Sequence, residues 1–159
     1  MSEALEFLND LFAKAKKAGA DAADGHHVVS QSLSTSMRMG KREDLERSES
    51  LDMMLRVFIG QRQACVASSD TSAQAMEELV ERAVSMAKVA PEDPYCGLAP
   101  EDRLAKKWPD LDLFDDYEYD TEALYGIAAE TEEAALAVDG VTNSNGAGAG
   151  WSSAEVAIA

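Results

Sequence analysis

Apolar and polar positions along this 159-residue chain change their spacing several times, and each change predicts an element. Leu5, Leu8, Leu11, Phe12, Ala15 and Ala18 recur at helical spacing over residues 3–18, with Ser2 placed to cap the helix and Gly19 to stop it. From Val29 the period falls to two. Val29, Leu33, Met37 and Met39 share one face and Ser30, Ser32, Ser34, Ser36 and Arg38 the other, which predicts a long strand with one wet face open to solvent or a partner. Gly40 interrupts the alternation, Glu43–Ser50 reads as a polar segment, and Leu51, Met53, Leu55, Val57 and Ile59 form a second strand. Gly60-Gln61 is a compact turn from which Arg62–Ser68 returns antiparallel, so 51–68 is a hairpin.

Asp70-Thr71-Ser72 opens another helix, with Thr71 and Gln74 at capping-box spacing. Met76, Leu79, Val80, Ala83, Val84 and Ala87 form its apolar stripe, and Pro91 lies just past its end. Thr121 is predicted to cap a third helix whose Leu124, Ile127, Ala128, Ala135 and Val138 face inward until Gly140. Val141–Ala147 and Glu155–Ala159 read as further strands separated by Gly148-Ala149-Gly150. Helices alternating with runs of sequential strands imply an α+β fold, a largely antiparallel sheet with helices packed on one face. A strand pattern reaching Ala159 without a turn or polar tail would leave an edge unpaired. Residues 1–159 are therefore expected to be a single N-terminal domain of a longer protein, with the C-terminal domain absent. Within it, 1–90 hold helix, strands and helix, 91–120 a proline-rich acidic connector, and 121–159 helix and strands.

The length suits one core that buries roughly two-thirds of the unfolded surface. No apolar run approaches the roughly 20 residues of a membrane span, and Met-Ser-Glu-Ala-Leu-Glu lacks the basic-then-apolar order of a signal peptide, so a soluble cytoplasmic protein is expected. Cys65 and Cys96 make neither a disulfide framework nor a zinc ligand set, and read as reduced thiols. The formal charge of −16 is unevenly placed. Residues 1–90 carry 14 acids against 11 bases, a net of −3, whereas 91–159 carry 16 against 3, a net of −13, with no base after Lys107. Such a surface repels phosphate backbones, so nucleic acid is not an expected partner.

Candidate chemistry is sparse. His26-His27 are the only histidines, and adjacent strand residues point to opposite faces, so their imidazoles would not converge on one metal; they read as surface histidines near a strand start. Asp110, Asp112, Asp115, Asp116, Glu118 and Asp120 are interleaved with Leu111, Leu113, Phe114, Tyr117 and Tyr119. That run lacks the glycine and terminal glutamate of a calcium loop. It reads foremost as a connector that packs its aromatics on the body with wet carboxylates, with a weak cation site or a docking strip for a basic partner as the alternatives. Asn143–Gly150 is glycine-rich but has no Lys-Ser/Thr pair and no following helix, so a hairpin or a close backbone approach is expected rather than a phosphate cradle. No histidine is placed to serve a nucleophilic serine. Met37, Met39, Met53, Met54, Met76 and Met86 are expected core filler. No catalytic, cofactor-binding or metal-ligating residue is assigned.

All four prolines fall between Pro91 and Pro109, three of them within P-E-D-P-Y-C-G-L and L-A-K-K-W-P-D-L-D-L-F and Pro100 between those pieces, where fixed φ angles mark an ordered connector. These pieces resemble the TldD/PmbA family, the modulator of DNA gyrase proteins, and are most similar to its PmbA (TldE) branch. The likeness extends through Met37–Glu46, Val57–Gly60, Ala67–Asp70, Glu92–Leu98, Trp108–Phe114 and Val141–Ala147. It implies membership of a zinc-dependent peptidase system cutting small or unfolded peptides, in which a TldD-type subunit bears a His-Glu-x-x-x-His motif in its C-terminal half and PmbA/TldE is its partner. Neither His26 nor His27 is followed by glutamate in that spacing, so the motif falls on no residue here and zinc is expected in the TldD-type subunit. The implied role is assembly or the lining of a substrate chamber within an oligomer. The competing class is an acidic adaptor that recruits a basic protein.

Overall fold

A computed structural model of the chain describes residues 2–107 and 109–159. Helix α1 (Glu3–Lys17) begins where Ser2 Oγ accepts the Leu5 N–H, and places Glu3 and Glu6 in its first turn and Lys14, Lys16 and Lys17 in its last, each opposing the helix dipole. Strand β1 (Ala22–Arg38) starts seven residues before the alternation at Val29, because His26 and His27 lie inside it, both half-buried, and not on the surface at its start. Met39 is not a strand residue: with Gly40 it forms the turn into β2 (Lys41–Ile59), at φ 48° and 71°.

Two consecutive positive φ angles make the mirror-image two-residue turn whose twist matches antiparallel strands. The polar stretch Glu43–Ser50 is therefore strand, contrary to the expectation from its side chains. Every side chain from Lys41 to Ser50 is exposed, so main-chain pairing with β1 holds this part, and a row of charges guards its edge. The hairpin to β3 (Arg62–Ser68) is as expected, with Ile59 opposite Arg62 across Gly60-Gln61 and Met53 opposite Ser68.

Helix α2 (Ala73–Val89) is capped one residue later than expected: Ser72, not Thr71, accepts the Ala75 N–H at 3.3 Å. Asp70 in turn accepts the Ser72 N–H. Helix α3 (Thr121–Leu136) is likewise capped by its neighbour Asp120, which accepts the Ala123 N–H at 2.8 Å and leaves Thr121 as the first helical residue. Its buried row is Leu124, Tyr125, Ala128 and Glu132, while Ile127, Ala135 and Val138 are exposed. Val141–Gly146 is not strand, and β4 (Ala147–Ile158) runs straight through Gly148-Ala149-Gly150. A Cβ on Gly146 or Gly148 would lie 3.0 Å from Met37 O or 3.3 Å from Thr35 O, so these glycines let β4 and its approach run against β1, the close backbone approach expected of this segment.

The fold is α+β, a four-stranded antiparallel sheet in the order β3-β2-β1-β4 with helices packed against it. The chain forms two compact units. One comprises Met1–Val29, Ser50–Asp110 and Glu155–Ala159, and the other Ser30–Glu49 and Leu111–Ala154. The first holds the main core: Leu11 and Ala15 of α1, Met53, Leu55 and Val57 of β2, Ala64 and Val66 of β3, and the whole predicted stripe of α2. Burying each of the larger side chains is worth about 1.5–3 kcal/mol. Its connector is pinned where Asp93 N–H donates to Gln61 O at 2.8 Å and Arg62 pairs with Glu92 at 3.0 Å. The second unit has a smaller apolar center of Met37, Tyr125 and Ala128 with Ala129 and Ala149. Among the methionines, Met39 and Met86 are exposed and not core, since one sits in a turn and the other on the outer face of α2.

Candidate functional site

In the second unit, a short apolar center is reinforced by polar contacts that converge on α3. Tyr125 Oη donates to Asp44 O at 2.9 Å, and the Arg42 guanidinium lies 4.3 Å from the Tyr125 ring centroid while forking onto Glu122. Glu132 is the buried exception on this helix. Its two carboxylate oxygens accept the N–H groups of Met39 and Gly40, both at 2.8 Å, so one side chain satisfies the turn that starts β2. The Gly40 N–H, a hydroxyl hydrogen bond from Ser144 and the Met39 N–H together hold the Glu132 carboxyl below its ordinary pKa. Ser144 also accepts the Gly146 N–H at 2.9 Å, which ties the approach to β4 into the same network.

The acidic segment lies in this unit too, and its aromatics do not pack on the body as expected. Leu113 is 86% exposed, Phe114 75% and Tyr117 57%; Tyr119 alone of the aromatics is half-buried. The backbone is what is held. Asp115 Oδ1 accepts the Tyr117 N–H at 3.0 Å, the Trp151 indole N–H donates to Tyr117 O at 3.0 Å, and the Tyr117 and Tyr119 rings meet edge-on with centroids 4.6 Å apart. Six carboxylates within eleven residues keep the run in water, so most of the rings between them remain at the surface. Leu113, Phe114, Asp115 and Tyr117 then face Trp151, Ser152, Ser153 and Ala154 of β4 across a cleft of about 290 Å³. This cleft was invisible to sequence reading, because Trp151 reaches the segment through a main-chain carbonyl 34 residues away. Trp108, at the head of the Trp108–Phe114 piece, lies outside the described residues.

Among the described residues, two further hollows lie in the first unit. One of about 530 Å³ runs between α1 and α2 and mixes Lys14, Lys17 and Lys88 with Glu77 and Glu81 over Val80 and Val84. The other, of about 360 Å³, is lined by Glu3, Phe7, His27, Thr71 and Glu155, with the His27 and Phe7 rings edge-on at 5.6 Å. Among the described residues no group of three His, Cys, Asp or Glu is placed to hold a metal ion. Cys65 is exposed and Cys96 half-buried, both free thiols. No helix is long and apolar enough to cross a membrane among the described residues.

Residues 27–87 match the family described as PmbA/TldA metallopeptidase domain 1. The Metalloprotease PmbA homolog of Haemophilus influenzae is 34% identical over 148 residues, covering 92% of this chain and 32% of the relative. Metalloprotease PmbA of Escherichia coli O157:H7 is 30% identical over 145 residues, covering 89% and 32%. The chain thus spans about a third of the length of the curated relatives it matches. Among solved structures, a modulator of DNA gyrase from Bacteroides thetaiotaomicron superposes with a TM-score of 0.84 at 21% identity over 99% of this chain and 37% of the other. TldE from Thermococcus kodakarensis superposes with a TM-score of 0.73 at 17% identity over 96% and 34%. At those identities the likeness to solved structures is one of fold.

Proposed function

The chain belongs to the PmbA/TldD family through that family's first domain, and from this premise we propose that it is the N-terminal domain of a PmbA/TldE-type subunit in a TldD–TldE zinc-dependent metallopeptidase. The complex acts on small or unfolded peptides in the cytoplasm, and this domain contributes to assembly or lines the chamber that receives the substrate. The observation that carries the reading is the similarity to two proteins named as PmbA metalloproteases along some nine-tenths of the chain. The residues present do not fit the zinc such a system uses. His26 and His27 are adjacent in β1 and so point to opposite faces, and among the described residues no third ligand is grouped with either. No catalytic step is therefore routed through this domain, and the metal is assigned to the TldD-type subunit.

The test is chelator-sensitive cleavage of an unstructured peptide by the full-length gene product alone and mixed with its TldD-type partner. Cleavage in the mixture only is the expected outcome. Cleavage by the gene product alone would place the zinc in its own remaining length and overturn the branch assignment.

A second reading, an acidic adaptor for a basic partner, is favored by the exposure of Leu113, Phe114 and Tyr117 among carboxylates. Steering by that strip would weaken steeply with salt, whereas assembly through apolar faces would survive it.

A further inference from the structure

We propose that the cleft between the acidic segment and β4 is a binding site for a guanidinium or ammonium side chain of a peptide. The inference stands on this chain alone, whichever assembly reading holds. Phe114, Tyr117 and Trp151 supply aromatic surface, Asp115 a carboxylate, and Ser152 and Ser153 hydroxyl groups, all around one hollow of about 290 Å³. That volume is at the small end for ligand pockets and suits one long side chain better than a whole metabolite.

One ring of the aromatic wall, the Trp151 indole, is held by a hydrogen bond. Trp151 spends its only donor on Tyr117 O at 3.0 Å, so the indole offers the cleft a ring and no unmet hydrogen-bonding demand. The face of an indole or phenol ring is electron-rich and attracts a cation. Asp115 accepts the Tyr117 N–H through one oxygen, and a carboxylate has a second oxygen with which to receive a charged donor. The unit that holds the cleft has the same sign: its residues 30–49 and 111–154 carry 14 acids and 4 bases. Cations are concentrated near such a surface and anions expelled. An apolar ligand would leave the carboxylate without a role, and a compact metal ion would leave the three rings without one. A long side chain with a delocalized or compact positive head uses both, and arginine uses the ring faces better than lysine.

The decisive comparison uses acetyl-Gly-Gly-Arg-Gly-Gly-amide and the same peptide with citrulline, which keeps the shape and removes the charge. The chain has two tryptophans, so Trp108→Phe leaves Trp151 as the only indole reporter of the cleft. Titration of its emission at low salt should show the arginine peptide binding at least about tenfold more tightly than the citrulline peptide. Asp115→Asn should erase most of that preference; Asp115 is exposed, so the change carries no core penalty, and unchanged circular dichroism checks the fold. Equal binding of the two peptides would overturn the proposal. So would a preference for arginine that persists unchanged in Asp115→Asn.

Discussion

At the scale of single residues, one substitution type tested at two glycines separates local geometry from general propensity. Gly25 lies inside β1 and exchanges main-chain hydrogen bonds with Ala159 at 2.9 and 3.2 Å. A Cβ there would sit 2.3 Å from Met54 O, a main-chain atom of the neighboring strand that cannot step aside without breaking the ladder, and 3.3 Å from the Phe12 ring. Gly25→Ala should cost about 1–3 kcal/mol, the usual range for overpacking, read as a lower urea midpoint at unchanged slope. Gly126 is exposed in α3, and a Cβ there meets nothing within 4 Å. Gly126→Ala should therefore raise stability by roughly 0.5–1 kcal/mol, through helix propensity and a less flexible unfolded chain. If both variants move the midpoint in the same direction, the close approach of β1 to Met54 is not what makes Gly25 necessary.

Between residue and fold stands the β1–β2 turn, where α3 supplies what the turn cannot. Met39 pays a steric cost at φ 48° that glycine would not, and two consecutive turn N–H groups face one direction; Glu132 receives both. In Glu132→Gln one of the two acceptors becomes a donor, so one N–H loses its partner and the melting temperature should fall at neutral pH. Because the folded-state pKa is lowered, the stabilization from the carboxylate is present above the unfolded value of about 4.3 and is lost as pH falls through the folded one. The gap between wild type and Glu132→Gln should narrow as the pH is taken below about 4, and an equal gap at pH 7 and pH 3 would show that charge is not what Glu132 contributes. The same contact explains what was legible in the sequence. α1, α2 and the β2–β3 hairpin were readable because apolar periodicity and turn residues report burial directly. Lys41–Ser50 was not, since its pairing is made by the main chain and leaves no trace in side chains that are all exposed. α3 was placed correctly but its inward row was misread, because a carboxylate at Glu132 continues the four-residue spacing of Leu124 and Ala128. An acid in an otherwise apolar row, opposite a turn needing donors satisfied, is the sign that would have found it. The cleft at Trp151 left less: a tryptophan in a run of glycines, serines and alanines.

Across the whole molecule the dominant electrostatic fact is a surplus of 16 negative charges, from 30 acids against 14 bases. Two effects of salt then oppose each other. Screening weakens the ion pairs seen among the described residues, Lys14–Asp10, Arg42–Glu122, Arg47–Glu49, Arg56–Asp24 and Arg62–Glu92. Most of these are solvent-exposed, and exposed pairs are each worth about 0–1 kcal/mol. Screening also relieves repulsion among the surplus carboxylates, densest in the sequence beyond Lys107, where every charged residue is an acid. Each such acid acts on several others within the roughly 14 Å reach of the field at 0.05 M salt, which shrinks to about 4 Å at 0.5 M. Few cations and many close like charges make relief of repulsion the larger effect. Raising sodium chloride from about 0.05 to 0.5 M should therefore increase the melting temperature by about 2–4 °C, equivalent to roughly 1 kcal/mol for a chain of this size. A melting temperature that falls with salt would mean that the ion pairs, and not the acidic excess, set the electrostatic contribution to stability.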